Sequence, residues 1–500
     1  MAQNTYVFAG WILVIIYVIA AISFVVRGAR KTKNINDYAV GSMAFSPVAV
    51  GLALAASMTS AATFIINPGF IALYGISGVF SYAIFLPIAA MASLYFFSKG
   101  FRKHGESVKA LTLSQWMRTR YESPVYGIFF GILSLLMITF IVLILVGLTK
   151  VLAKTLDINE MWALVGIVAV VFGYMMFGGA NSLVYTNTIQ ASMMILVALI
   201  LLGSGYHFFK DGVGGFLSQL RAIDPALTQF TNPKSFLFRD FFEIVIAQMI
   251  VGVAIVMQPH IITKSLLLKT EKDVNRYLTT GILVEMLFFF VVFAGLYARL
   301  TFPDLTIGGT ALKMDGIIPA YVLARFPVWI GLIVIMGLLS AGISTLEGLI
   351  QSVSTTITVD LLKPAARKLG RESQISDHSW VFINKMVIVL IAILAIFISR
   401  DQLLHPKLSV AIFAQNGVYA YFAAAFVPIF FGMFLKGVRK ESVISASVVA
   451  IIVHFSMYYG KLGLPLTIST GENPGVAAAT AVVASLLIGY LLHTFQMRRK

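Results

Sequence analysis

The chain has 500 residues, of which 59% are hydrophobic and only 12% are charged, whereas about a quarter of the residues of a soluble protein are charged. This composition excludes a soluble protein. The sequence contains no cysteine, which excludes disulfides, cysteine nucleophiles, thiolate metal sites and iron–sulfur clusters. The net charge of +16 raises the question of a polyanionic partner such as nucleic acid, and the placement of the basic residues answers it.

Apolar segments of the length that crosses a bilayer, about 20 residues, recur along the whole chain. The predicted spans are residues 6–27, 46–75, 80–98, 124–149, 161–179, 183–206, 240–263, 277–300, 325–358, 380–399, 409–435, 441–459 and 476–495. Only helices satisfy their own backbone in lipid, and no alternating barrel pattern is present, so we predict an all-α integral membrane protein. The first segment lacks a basic start and a small-residue cleavage site, and we expect a retained helix.

The loops between these spans differ in their basic residues. If the N-terminus lies outside, the inside loops hold about twice as many lysines and arginines as the outside loops. Basic loops concentrate on the cytoplasmic side, which predicts an N-out, C-in protein of the plasma membrane, the inner membrane in a bacterium. The same asymmetry explains the net charge without a nucleic-acid partner.

Three spans contain small, hydroxyl or helix-breaking residues at mid-depth. The second reads A-A-S-M-T-S-A-A-T-F-I-I-N-P-G from Ala55 to Gly69, the seventh has Gly252 and then M-Q-P-H-I-I, and the ninth is rich in Gly, Ser and Thr from Leu339 to Thr358. Such residues let helices pack closely, but unwound helices at mid-membrane also free carbonyls to bind ions. Because the second and seventh spans lie five spans apart, we predict a secondary transporter with two inverted repeats.

At these segments the chain resembles the sodium/solute symporter family, whose members carry proline, pantothenate, acetate or sugars. Four motifs carry the resemblance: Ala55 to Gly69, Gly178 to Gln190, Gln258 to Lys264, and Ser344-Thr345 through Asp360. The resemblance implies the leucine-transporter fold in a single transmembrane domain over 1–500. Its expected parts are an extra N-terminal helix at 6–27, a first repeat at 46–206, a second repeat at 240–435 and two extra C-terminal helices at 441–495.

The resemblance also implies a sodium site. Its expected ligands are the carbonyls of Ala56, Thr59 and Ala341 and the hydroxyls of Ser344 and Thr345. Positions i, i+3 and i+4 of a helix share one face, so the last three residues present their oxygens together. A neutral oxygen cage suits a weakly held monovalent cation. We therefore expect sodium as the coupling ion and no other cofactor.

Two departures from the family pattern concern a second ion. Where the family has T-D, this chain has Thr186-Asn187, and where some relatives have a serine three residues after Ser344, it has Glu347. Charge at mid-membrane is functional by default. We hypothesise a second ion site at Asn187 and Glu347, for sodium or a proton. The alternative is that Glu347 pairs structurally with a neighbour.

The expected solute site is poor in polar groups. Sugar-carrying relatives have amide and acidic groups where this chain has Met58, Ala62 and Thr63, and unpaired sugar hydroxyls would be costly there. A small monocarboxylate or amino acid fits better than a sugar. The residues predicted to bind the solute are Met58, Thr63, Gln248, Val251, Ile255, Gln258, Gln415 and Asn416.

The sequence therefore predicts a sodium-coupled symporter that imports a small organic solute by alternating access. Neither nucleic acid nor an obligate protein partner is expected. The absence of H-E-x-x-H, nucleophile-elbow and P-loop motifs argues against an enzyme and against ATP-driven transport. Two alternatives stay open: a proton-coupled carrier on the same scaffold, in which Glu347 or Glu285 titrates, and an ion channel.

Overall fold

The computed structural model describes residues 2–41, 45–108, 110–268, 270–405, 410–468 and 470–498, without the side chains of 2–6 and 103–108. The described chain is almost entirely helical, which confirms the predicted all-α class. A two-stranded antiparallel hairpin, β1 (Thr306–Ile307) and β2 (Thr310–Ala311), lies exposed in a loop. It pairs Thr306 with Ala311.

The α-helices of the first half of the chain, in order, are α1 (Ala2–Ala29), α2 (Ile35–Val40), α3 (Pro47–Met58), α4 (Asn67–Tyr74), α5 (Ile76–Val79), α6 (Leu86–Val108), α7 (Leu113–Arg120), α8 (Pro124–Leu133), α9 (Ile138–Leu156), α10 (Glu160–Gly203) and α11 (Gly212–Ile223). Those of the second half are α12 (Gln248–Ile255), α13 (Pro259–Ile262), α14 (Glu271–Phe290), α15 (Ala294–Thr301), α16 (Ile317–Arg325), α17 (Val328–Thr356), α18 (Lys363–Lys368), α19 (Asp377–Leu404), α20 (Val410–Phe434), α21 (Lys440–Gly460) and α22 (Pro474–Arg498).

Short turns of tighter or wider helix connect several of these. The π-helical segments are Ala62–Ile66, Phe80–Phe85, Phe242–Ala247 and Ile357–Leu362. The 3-10 segments are Ser134–Met137, Tyr206–Phe209, Pro225–Thr228, Thr263–Leu267, Val291–Phe293, Met314–Gly316 and Glu372–Gln374. Wide turns of the π type are often found at functional sites, and two of the four adjoin the broken helices described next.

Among the described residues, 10 helices are long and apolar enough to cross a membrane, and two bent pairs raise the number to 12. The helix α10 has 44 residues, which at about 1.5 Å per residue is roughly twice the thickness of the hydrocarbon core. It breaks at Gly179, whose φ of 59° and ψ of −162° are not helical. Counting its two halves separately gives the predicted thirteen spans.

Gly179 is the residue that this break requires. Its positive φ is rarely adopted by residues with a side chain. A Cβ atom there would also lie 2.7 Å from the ring of Tyr38 and 2.8 Å from its carbonyl oxygen. The short helix α2 therefore packs directly on the backbone of the break.

The two bent pairs are the second and seventh predicted spans. The helix α3 and the segment Ala62–Tyr74 meet at 59°, and the segments Phe242–Ile255 and Pro259–Leu267 meet at 58°. Pro259 explains the second bend, because proline inside a helix lacks an N–H and clashes with the carbonyl four residues before it. The two similar bends, five spans apart, are what the predicted inverted repeats require.

The ninth predicted span is not broken. The helix α17 is continuous over 29 residues, because its glycines accommodate close neighbours instead of interrupting it. A Cβ atom on Gly342 would lie 2.6 Å from a methyl group of Leu148. This continuous, buried helix packs against α3, α9 and α10 at the centre of the protein.

The helices outside the two predicted repeats are peripheral. The helix α1 packs mainly on α10, whereas α21 and α22 pack on each other and on α20. Tyr126 connects the centre to this C-terminal pair, because its hydroxyl lies 2.8 Å from Ser447 Oγ.

Candidate ion and solute site

Five buried residues meet where the break after α3 faces α17. Ser344 Oγ lies 2.6 Å from the carbonyl oxygen of Ala56 and 3.1 Å from that of Ala341. Thr345 Oγ1 lies 3.1 Å from the carbonyl oxygen of Thr59, 3.3 Å from that of Ala341 and 3.5 Å from that of Ala56. The structure thus brings together all five residues predicted to bind sodium. We call these oxygen atoms the oxygen cage.

The oxygen cage has more acceptors than donors. The carbonyl of Ser57 also lies 3.3 Å from Thr345 Oγ1, so two hydroxyl hydrogens are shared among four carbonyl oxygens. Three of these carbonyls belong to the end of α3, where the last carbonyls of a helix have no partner within the helix. One hydroxyl hydrogen satisfies one carbonyl at a time. A monovalent cation would supply the missing positive charge without a carboxylate ligand.

A buried carboxylate adjoins the oxygen cage from α14. Thr59 Oγ1 donates to Glu285 Oε2 at 2.9 Å, while its own carbonyl belongs to the cage. Glu285 is fully buried, and its second oxygen has no hydrogen-bond partner among the described residues. The acid proposed from the sequence as a secondary ion or proton group is therefore one side chain away from the cage.

A second buried carboxylate, that of Glu347, points from α17 towards α10. Thr186 Oγ1 donates to its Oε2 at 2.7 Å, Gln190 Nε2 donates to its Oε1 at 3.2 Å, and the hydroxyl of Tyr174 also donates to Oε1. Side-chain donors on α10 thus surround Glu347. Two of these three partners, Thr186 and Gln190, belong to the motif Gly178 to Gln190, so the sequence could have indicated them. Tyr174 lies before this motif, and no sequence pattern indicated it.

Asn187 is not bonded to Glu347. Its Nδ2 donates to Ser57 Oγ at 2.9 Å, and its Oδ1 has no hydrogen-bond partner within the described part of the chain. We predicted that Asn187 and Glu347 share a second ion site. Glu347 is bonded to Thr186, the residue before Asn187 on α10, whereas Asn187 itself faces the end of α3. Two consecutive residues of α10 thus contact α17 and α3, respectively.

A cavity of about 110 Å³ borders the oxygen cage, because Met58 and Ser60 on either side of Thr59 line it. Its walls are mainly apolar, with a few hydroxyl, amide and aromatic groups. Five of the predicted solute residues line it: Met58, Thr63, Ile255, Gln258 and Gln415. The other lining residues are Ser60, Ala62, Asn67, Tyr82, Leu86, Phe140, Leu143, His260, Ile261, Phe289, Ala411, Ala414, Val418 and Tyr419.

Three of the predicted solute residues do not line this cavity. Gln248 faces α22, where its Nε2 lies 3.5 Å from the Cβ position of Gly475. Val251 is fully buried in the core one turn before Ile255. Asn416 faces α21, since His454 Nε2 lies 2.9 Å from its Oδ1. The bend after Ile255 and the packing of the extra C-terminal helices decide these orientations, and the sequence pattern contains neither.

Sequence reasoning missed several residues of the cavity. Asn67, Tyr82 and Phe289 come from three different segments, and only the fold brings them together. Among the described residues no group of three or more His, Asp or Glu side chains is placed to hold a metal ion. The neutral oxygen cage is a candidate site for a monovalent cation.

Comparisons with known proteins agree with this geometry. The model of the sodium:solute symporter family matches residues 38–450. A sodium/pantothenate symporter of Haemophilus influenzae is 26% identical over 417 residues, 82% of each protein. A sodium/proline symporter of Salmonella typhimurium is 26% identical over 449 residues, 87% of this chain and 85% of the relative. A sodium-coupled sialic acid symporter, solved in a substrate-bound outward-open state, matches with a TM-score of 0.76 over 98% of both chains at 18% identity.

The structural likeness confirms the predicted leucine-transporter fold. The family match extends from α2 into α21 and includes the whole oxygen cage and the lining of the cavity. The chain belongs to the sodium:solute symporter family.

Proposed function

We propose that this multi-pass membrane protein imports a small organic acid or amino acid together with sodium, by alternating access. The observation that carries the proposal is the oxygen cage beside the cavity, since it places a candidate ion site and a candidate solute site on either side of one helix break. Ion and solute would then both stabilise the same arrangement of α3 and α17. Coupling follows, because each ligand favours the state that the other one needs.

The sodium ligands in this proposal are Ala56, Thr59, Ala341, Ser344 and Thr345. The hydroxyl oxygens of Ser344 and Thr345 lie 2.6 to 3.5 Å from the carbonyl oxygens of the other three residues, which supports a common binding centre. The five oxygens come from two helices that are otherwise held by side-chain packing. An ion bound there would bridge α3 and α17.

The size and polarity of the cavity support a small solute. A cavity of about 110 Å³ is well below the roughly 300–1,000 Å³ of sites for drug-sized ligands. Its amides, Gln258 and Gln415, and the hydroxyl of Thr63 offer a few hydrogen bonds within an otherwise apolar wall. That combination suits a compact solute with one carboxylate and an apolar body. The relatives named above, which carry proline and pantothenate, handle solutes that are carboxylic acids.

A second coupled cation is part of the proposal. The carboxylate of Glu347 is surrounded by uncharged hydrogen-bond donors on α10. Lys264 acts on this carboxylate electrostatically but makes no hydrogen bond to it. Loss of hydration makes a buried carboxylate costly, which supports binding of a sodium ion or a proton in its vicinity. The proton is the second candidate for the driving ion, favoured by the full burial of both Glu347 and Glu285.

Uptake into proteoliposomes tests the proposal. Purified protein is given radiolabelled proline, pantothenate and acetate in turn, with an inward sodium gradient or with an inward proton gradient alone. We expect saturable uptake of one of these solutes driven by sodium. Uptake driven equally well by protons without sodium would contradict sodium coupling, and single-channel currents without saturation would support the channel alternative.

A matched pair of serine variants links the assay to the cage. Ser344→Ala removes a buried hydroxyl that is 3.1 Å from the carbonyl three residues before it. Ser485→Ala removes an equally buried hydroxyl on α22 that is 2.9 Å from its own i−3 carbonyl. We expect a large rise in the half-saturating sodium concentration for the first variant only. An equal effect of both variants would mean that the hydroxyl is merely structural.

A further inference from the structure

A second, smaller cavity lies between α2, α13 and the end of α17. Its volume is about 30 Å³, which is room for one or two water-sized groups. Its lining comes from α2 and from the ends of helices that the basic loops assign to the inside, such as Ala39, Thr112 and Thr356. With the predicted N-out orientation, this inner cavity faces the cytoplasm. His260 lines both this cavity and the solute cavity, so the two adjoin at this side chain.

The inner cavity contains a buried cation without a direct partner. Lys264 is 4% exposed, and its Nζ has no hydrogen-bond partner or ion pair among the described residues. The hydroxyl of Thr355, which lines the same cavity, is also buried and without a partner there. Both residues line this one cavity of about 30 Å³. Both are donors, and the ammonium carries positive charge.

The acidic groups nearby, Glu347 and Asp360, accept hydrogen bonds from residues other than Lys264, and Asp360 Oδ1 has no partner among the described residues. Glu347 acts electrostatically on Lys264, but its oxygens accept hydrogen bonds from α10. Asp360 accepts a hydrogen bond at 2.5 Å from Thr112 and is not part of the lining. Glu347 therefore acts on the Lys264 ammonium without contacting it, and a buried ammonium that lacks a direct partner is unfavourable.

We propose that Lys264 and Thr355 form an anion site in the inner cavity, which takes a carboxylate or a monatomic anion of similar size. A solute leaving the solute cavity towards the cytoplasm passes His260 and meets Lys264 next. Its carboxylate then exchanges the contacts of the solute cavity for an ammonium. The solute-carboxylate part of this inference rests on the proposed function, whereas anion binding at Lys264 does not.

Bromide tests the site directly. Crystals grown in sodium bromide, measured at the bromine absorption edge, are expected to show an anomalous peak within hydrogen-bonding distance of Lys264 Nζ. Lys264→Met removes the charge and should abolish the peak, and Lys264→Arg should retain it. The control variant is Lys385→Met, which also removes one positive charge. The ammonium of Lys385 lies over the ring of Phe177 on α10, outside the inner cavity, so the peak should persist. A peak that persists in Lys264→Met, or no peak in the wild type, overturns the anion site.

Transport distinguishes the two sources of the anion. If the solute's carboxylate uses the site, Lys264→Met raises the internal solute concentration for half-maximal efflux at least tenfold and leaves the external value for uptake unchanged. If a free anion uses it, replacing internal chloride by gluconate slows transport by the wild type and not by Lys264→Met. Insensitivity to both changes overturns any role in transport. A bromide peak in a protein without sodium-driven uptake would refute the proposed function and leave the site intact.

Discussion

Thr345→Val is the sharpest test of the oxygen cage. Valine keeps the volume and the β-branch of threonine but removes Oγ1, the atom that lies within 3.5 Å of the carbonyls of Ala56, Thr59 and Ala341. A contact between a neutral ligand and a charged group contributes about 1.5–3 kcal/mol. Since about 1.4 kcal/mol is a factor of ten in affinity, sodium should bind roughly 10- to 150-fold more weakly.

The assay is the half-saturating sodium concentration, measured by uptake at fixed solute and by the sodium-induced rise in the unfolding temperature. The matched control is Thr155→Val on α9, because the buried hydroxyl of Thr155 is also bonded to its i−4 carbonyl, at 2.7 Å. Without sodium, Thr345→Val should unfold at a somewhat lower temperature than the wild type, as should Thr155→Val, because each variant loses a hydrogen bond from a buried hydroxyl. A sodium dependence that is unchanged in Thr345→Val, or shifted equally in both variants, would refute the cage.

Three further predictions concern other parts of the molecule. Gly179→Ala should destabilise the protein by about 2–5 kcal/mol, since it combines a glycine-only backbone conformation with overpacking; the thermal unfolding of Gly173→Ala, where a Cβ meets no atom within 4 Å, is the control. Gln258→Leu should raise the half-saturating solute concentration about tenfold, as expected for one lost hydrogen bond of about 1.4 kcal/mol, whereas Gln248→Leu, outside the cavity, should not. Glu347→Gln should lower the number of cations moved per solute, measured as the solute accumulation at a fixed sodium gradient and membrane potential; unchanged accumulation and pH dependence would exclude Glu347 as an ion or proton group.

The parts of the site that the sequence predicted are those encoded within one helix turn. Ala341, Ser344 and Thr345 share a face of α17 by their spacing alone, and this continuous helix keeps them together. The break before Pro259 follows from the chemistry of proline. The break at Thr59 has no proline or glycine beside it, yet the family pattern located it.

The predicted solute residues that do not line the cavity are those whose orientation depends on a bend or on a neighbouring helix. Gln248 and Val251 precede the bend at Ile255, and nothing in their local sequence tells whether they face the cavity or α22. Asn416 is turned away by hydrogen bonds with α21, a helix outside the predicted repeats. The donors around Glu347 are more than 150 residues distant in the chain, so only the folded chain brings them to the carboxylate.

The two helices of the oxygen cage are each attached to a different neighbour by a buried carboxylate. Thr59, at the end of α3, is bonded to Glu285 on α14, whereas Glu347 on α17 is bonded to Thr186 and Gln190 on α10. These bonds do not involve the ion, so they persist when it leaves. The cage itself then has surplus carbonyl oxygens facing one another, which weakens the contact between α3 and α17.

Loss of sodium therefore loosens one contact and spares the two attachments. If the pair α3–α14 then moves relative to the pair α10–α17, the boundary between them passes through the cage and along the packed faces of α3 and α10. Two further hydrogen bonds, from Asn187 to Ser57 at 2.9 Å and from Thr188 to the carbonyl of Ala49 at 3.3 Å, cross the same boundary and must break with it. The amide of Asn187 makes its bond to Ser57 an uncharged one. Because neutral hydrogen bonds are weaker than charge-assisted ones, this bond costs less to break than a bond between Ser57 and a carboxylate would.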